Sequence, residues 1–493
     1  MLKAFLKNAS KSVLALVKIQ IQSIRRKAFR RAMAAGFQRL EPRRVLTVQG
    51  IFDAISGNLS VNITPGGNTS ATLAALDANQ FFLDVDGNSV FNSGSDLLGS
   101  KGDLKNILVS GTANPLGNIG EFLWKDHFSS SFQLDRIDAS GLANISLDLV
   151  AQVTVSQDSN LQASNSISIH NTVTPADPTN HFLRFSNNLT LDAGGNNTAI
   201  LVDLDYSLTV DQLASLQATQ SSMKLSGIDA NILQATAMGD ILDADTGSDS
   251  MDIRANQISM VSSSGSIGGP LSNILQADIA TTTQGALEIS ARNPGTLNSS
   301  FIATQGTVSL HTDEFPSTVD ANKLWVVSDS DIHATDVSGL SSRVTDLALV
   351  INPAAGSPTG IVELPNSLAI SGDLRIQGNS VTASDSTIDL QANRILWNTI
   401  QNADFAVTAS QIDAESQGSL QIHSTNAIRV TDLNNNLLGL RANGHLALET
   451  DAGSIAVDSL IVGNNATNIL LKTNNSGTIS ANANIQSGSG NIT

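Results

Sequence analysis

One phrase recurs in this chain and constrains its fold more than any other feature: Met251-Asp-Ile-Arg-Ala-Asn-Gln-Ile258, Ile388-Asp-Leu-Gln-Ala-Asn-Arg-Ile395 and Phe405-Ala-Val-Thr-Ala-Ser-Gln-Ile412. Each reads apolar, polar, apolar, polar, Ala, two polar residues, Ile, with Ala406 the exception at the second place. Alternation of this kind is the mark of a strand with one buried face. Ala255, Ala392 and Ala409 hold the third inward place, where a strand about to turn has little room. The Asn or Ser that follows tolerates a tight turn, and the closing Ile opens the next short strand. The phrase therefore predicts one side of a coil, repeated.

Neighbouring segments extend the pattern. Leu189-Thr-Leu191-Asp-Ala193 and Leu287-Glu-Ile289-Ser-Ala291 share its opening. Near the end, Leu446 and Leu448 align with Ile469 and Leu471 at an offset of 23, and Gly453 and Ile455 with Gly477 and Ile479 at 24. A coil of about 20–25 residues suits stacked supersecondary repeats. Residues 151–493 are expected to form a right-handed parallel β-helix of roughly fifteen coils, about 70 Å long at one strand spacing per coil. Inward Leu, Ile and Val would stack into apolar ladders, and Asn at matching corners into hydrogen-bonded ones. Composition agrees, with 41% hydrophobic and only 4% aromatic residues, so the core must be small and aliphatic. There is no Cys, which excludes disulfides and thiolate metal sites.

Residues 47–150 read as β but irregular, and as the cap that a solenoid's first coils need. Leu59–Ile63, Ile107–Val109, Glu121–Trp124 and Ile145–Leu149 are the expected strands, and Phe81–Phe91 reads as a hairpin about Asp86-Gly87. Phe122, Trp124, Phe128 and Phe132 concentrate aromatic bulk here.

Charge divides the chain at its beginning. The first 44 residues hold 12 of the 27 Lys and Arg and a single acid, Glu41, so they carry +11 while the whole chain carries −17. An acidic body excludes a nucleic-acid platform, because phosphate binding needs basic surface. Residues 1–36 alternate basic and apolar side chains and predict a helix, yet their longest apolar run, Val13 to Val17, is far short of the ~20 residues that span a bilayer. Two roles suit this segment: an atypical export leader that contacts the export machinery, or an amphipathic helix that lies on a membrane.

Directly after it, Leu40, Glu41, Pro42, Arg43 and Leu46 resemble the LEPR-XLL box of large exported surface proteins of planctomycete bacteria; Arg44 fills the variable place and Val45 replaces one Leu. The resemblance covers about the first tenth of the chain, residues 1–46. It implies export to the cell surface or beyond, and no enzyme activity. The Ser263-Ser-Gly-Ser-Ile267-Gly-Gly-Pro-Leu271 segment is similar to the Gly-Ser-Ile-Gly element of filamentous-haemagglutinin-type adhesin repeats, which are β-helical. The chain stops at Thr493 midway through a coil, so a longer protein is expected.

Candidate chemistry is sparse. Asp243, Asp245 and Asp249 surround Gly247 at a spacing that can converge on Ca²⁺, the one cofactor the sequence suggests. Asp84-Val-Asp86-Gly87-Asn88 offers a weaker acidic turn. The seven His show no close metal-ligand spacing, although His423 and His445 are 22 apart, within reach of neighbouring coils. The expectation is a non-enzymatic, adhesin-like surface protein with a cell-surface or polysaccharide partner. The alternatives are a carbohydrate-active β-helix enzyme, which would need Asp and Arg gathered in one groove, and a protein anchored to a membrane by residues 1–36.

Overall fold

The computed structural model describes residues 48–493 apart from 65–68, 112–119, 129–130, 173–182, 205–206, 246–250, 272, 278–284, 294–297, 339, 341–342, 353–359, 384–387, 437 and 465–466. The basic leader, the helix expected there and the box Leu40, Glu41, Pro42, Arg43 and Leu46 lie outside these residues, as does Asp249.

The described chain is all-β, and most strands pair in parallel with the strand one coil earlier and the strand one coil later. One inward ladder runs through Ile145, Ile167, Ile200, Met223, Ile241, Ile267, Val308 and Leu324. It continues through Leu347, Leu374, Ile395 and Ile412, then by the adjacent inward Ala414 to Leu440, Ile461 and Ile485. These are fifteen rungs, and every one but Ile485 is buried. Fourteen steps at ~4.8 Å give about 70 Å. The architecture is parallel, β-rich and solenoid-like.

The last coils show how each turn closes. Leu446–Thr450, Ile455–Val457 and Leu460–Gly463 are three successive sides, and each stacks on its counterpart in the next coil. Leu446 faces Ile469 and Ile455 faces Ile479, the register expected from sequence. The octets beginning at Ile388 and Phe405 lie directly over one another, with Leu390 against Val407 and Ile395 against Ile412. Spacing is otherwise uneven. The coil from Ile267 to Val308 takes more than twice as much chain as the next, from Val308 to Leu324. The even coil length that the terminal repeats predict therefore does not hold throughout.

Polar corners stack as well. Asn256 donates to Asn231 at 2.9 Å and accepts from Asn293 at 3.2 Å, while Asn165 donates to Asn144 at 2.7 Å. Gly268 makes the turn of the Gly-Ser-Ile-Gly segment. Its φ of +83° is left-handed, and a side chain there would overlap the carbonyl oxygen of Ser309 in the next coil. The neighbouring Ile267 can then sit between Ile241 and Val308 as a rung.

Two expectations change, and one strand departs from simple alternation. Residues 84–96 do not form a hairpin about Asp86-Gly87. Instead Gln80–Asp84 pairs antiparallel with Ser70–Ala75 and with Leu97–Ser100, and the Asp84 carboxylate accepts N–H groups from Asp86, Gly87 and Ser89. That carboxylate out-competes the strand ladder for the local donors. In the first octet, Met251 is 38% exposed and Asp252 is buried, so the alternation begins only at Ile253. Finally, Thr318–Ser328 ends in five consecutive buried residues. Leu324 and Val326 face the coil interior, while Trp325 and Val327 pack outside it against Ile274 and Leu275. Arg375 stacks over the Trp325 ring at 5.1 Å and donates to the Ala277 carbonyl at 2.8 Å, holding that outer segment down.

At the N-terminal side, Val48–Asp53 pairs antiparallel with Asn58–Ile63, whose other edge pairs in parallel with Asn106–Gly111. The antiparallel strand thus lies on an edge of the coil that would otherwise have open donors and acceptors.

Candidate metal centre and the charged groove beside it

Two neighbouring strand ends bring three carboxylates together. The strand Ile241–Asp243 runs out through Asp243 and Asp245, and Asp252 immediately precedes the strand Ile253–Ser262. Ile241 and Ile253 both point into the core and fix where these ends fall. Ile253 pairs with Ile289 of the next coil, which sets Asp252 beside Glu288. Asp243, Asp245 and Asp252 then each offer a carboxylate oxygen, all within 4.8 Å of one another.

One of their bonds is local and two reach neighbouring coils. Asp243 Oδ1 accepts the Asp245 N–H at 2.9 Å, Asp245 Oδ2 accepts the Ser226 hydroxyl at 3.0 Å, and Asp252 Oδ2 accepts the Glu288 N–H at 2.9 Å. Asp252 Oδ1 is buried without a partner. Burial, and then the charge of Asp245, raises the Asp243 carboxyl above its ordinary range. Burial, and then the charge of Asp243, does the same to Asp252. Carboxylates packed in this way must share protons or take up a hard cation. Spacing in the sequence points to Asp243 and Asp245 but not to Asp252, because that residue arrives from the far end of the connection and from what reads as an outward place in the octet.

The other acidic group, Asp84, Asp86 and Asp96, differs in one respect. The buried Asp84 has both oxygens occupied by backbone N–H groups, so the loop closes on itself. His423 lies opposite Glu449 and not His445, and its Nε2 is 2.9 Å from Asp451 Oδ2, so the two His do not meet.

An open groove of about 580 Å³ adjoins the Asp252 site and is lined by Arg254, Glu288, Arg292, His311, Asp313, Glu314 and Asp329, among others. Glu288 is common to both features. Its Oε1 is 3.4 Å from His311 Nδ1, and His311 Nε2 is 3.1 Å from Asp329 Oδ2. The Glu288 carboxylate, ahead of Asp329, raises the proton affinity of His311. Arg292 reaches Asp229 at 3.5 Å and Asp211 at 4.0 Å on earlier coils. The groove can therefore hold a proton on His311 between two acids and present guanidinium groups nearby. The residues stand 18 to 36 apart in sequence, as with His311 to Asp329 and Asp252 to Glu288, so no short motif announces them.

No family model, curated protein or solved structure matches this chain.

Proposed function

We propose that this chain is an exported, non-enzymatic scaffold of the cell surface or extracellular matrix, a right-handed parallel β-helix that presents a long repetitive face in the manner of an adhesin. Right-handed crossover is the near-universal hand for parallel strands. The observation that carries the reading is the inward ladder itself. Rungs from Ile145 to Ile485 keep apolar character, while outward positions such as Arg254, Gln391 and Thr408 follow no common chemical plan. The antiparallel strands at residues 48–100 serve as its cap. The LEPR-XLL-like box Leu40–Leu46 supports export, and a cell-surface or polysaccharide partner suits the acidic body. The test is fractionation with N-terminal sequencing of the mature protein. Recovery in the surface or medium fraction with residues 1–46 removed supports it; recovery from the cytosol with Met1 intact sinks it, and a membrane fraction retaining Met1 favours the anchored alternative.

One observation favours a second reading, a carbohydrate-active enzyme. Glu288, His311, Asp329, Arg254 and Arg292 gather acids and guanidiniums on one groove, as polysaccharide chemistry requires. Release of shorter or unsaturated sugars from acidic polysaccharides, lost in Glu288→Gln with the fold intact, would establish it in place of the scaffold.

A further inference from the structure

We propose that Asp243, Asp245 and Asp252 bind one Ca²⁺ ion, which ties the two ends of the 244–252 connection to the adjoining coil.

Asp252 is the deciding residue. Asp252 is 1% exposed, its Oδ2 accepts the Glu288 N–H, and its buried Oδ1 meets no N–H or hydroxyl donor, only the Asp243 carboxyl lying close by. A buried acceptor without a donor costs about 1–3 kcal/mol, and more when charged. Elsewhere the same fold meets this need with a cation: buried Asp126 has Lys101 at 2.6 Å. Among the described residues, no Lys or Arg forms an ion pair with Asp252. What lies next to it is more negative charge, from Asp243 and Asp245.

Coordination chemistry selects the ion. The three carboxylates lie close enough together to converge on one hard cation. Mg²⁺ demands a near-ideal octahedron and gives up its waters reluctantly, whereas Ca²⁺ tolerates an irregular set. Three carboxylates from two strand ends form a loose, all-oxygen set of the kind Ca²⁺ accepts, with water or carbonyl oxygens completing it. Because Asp252 is also bound to the backbone of Glu288, an ion here would stiffen the wall of the neighbouring groove.

The experiment titrates the full chain, stripped with chelator, with CaCl₂ by calorimetry and follows its melting temperature in parallel. Expected are one ion per chain, a dissociation constant on the order of 10⁻⁴–10⁻³ M or tighter, and a melting temperature that climbs with Ca²⁺ but hardly with Mg²⁺. Asp252→Asn, nearly the same shape, should keep the circular dichroism of the parent and weaken binding tenfold or more. Asp243→Asn should do the same. Absence of any heat or melting shift up to about 10 mM Ca²⁺ overturns the proposal. Undiminished Ca²⁺ binding by both Asn variants overturns it equally, since the ion would then sit elsewhere.

Discussion

The ammonium of Lys101 lies 2.6 Å from an Asp126 carboxylate oxygen, and both side chains are almost wholly withdrawn from water. Lys101 belongs to a short turn after the antiparallel strands, and Asp126 ends the parallel strand Glu121–Asp126, so the pair joins the two regions. Removing one partner of a buried pair strands the other charge. Lys101→Met is expected to cost about 3–5 kcal/mol, read as a lower urea midpoint at unchanged slope. The double variant Lys101→Met/Asp126→Leu should recover most of that loss, because an apolar replacement removes both desolvation penalties.

Asp413 makes the opposite case, a buried acid whose nearest charges are themselves negative. Its Oδ2 accepts the Leu433 N–H at 2.8 Å, and burial, ahead of the nearby Asp432 and Glu415 charges, pushes its carboxyl up to about 7. In the unfolded chain it titrates near 3.8. The folded form therefore favours the proton. Its contribution is complete below pH 3.8, falls as pH rises towards 7, and is constant above that. Asp413→Asn retains an acceptor for Leu433 and cannot ionise. It should be more stable than the parent at pH 8 by about 1–4 kcal/mol and indistinguishable at pH 3.5. A gain of the same size at both pH values would rule out this account.

Gly268→Ala is expected to cost upward of about 2 kcal/mol, since the φ of +83° is strained for Ala and the methyl meets the Ser309 carbonyl. In a solenoid the damage stays near its source. Hydrogen exchange should quicken around Ile241, Ile267 and Val308 and remain unchanged at Ile461, whereas uniform loss of protection would contradict neighbour-only coupling.

The Asn corners permit a graded comparison. Asn256 is the middle of three stacked residues and engages two side-chain bonds, while Asn165 donates one to Asn144. At about 1 kcal/mol per bond, Asn256→Ala should lose about twice as much stability as Asn165→Ala, measured by thermal melting under one buffer.

Much of the coil is legible in sequence because inward places are held by one chemical type at a fixed phase. Leu446 over Ile469 and Ile455 over Ile479 follow from alignment alone. What escapes has physical causes. Trp325 breaks the inside-outside alternation because an excursion around Ile274 covers the outer face, a long-range event that no local period records. Asp84 gathers three N–H groups and cancels a hairpin that its Asp-Gly pair favours. Asp243 and Asp245 are visible as acids at an odd spacing. Their partner Asp252 is not, because it arrives from the far end of the connection between two successive strands and holds what reads as an outward place in the octet. The unequal chain length of the steps Ile267 to Val308 and Val308 to Leu324 is likewise hidden from any local period.

That variation has a use. The step from Ile267 to Val308 spends more than twice the chain of the step that follows it, yet each climbs by one strand spacing. Height is thus counted in rungs, and surplus chain goes sideways. A peptide spliced between rungs would fly like a pennant from a mast, leaving every level above and below at its original altitude. Such a molecule can change what it displays without changing how far it reaches.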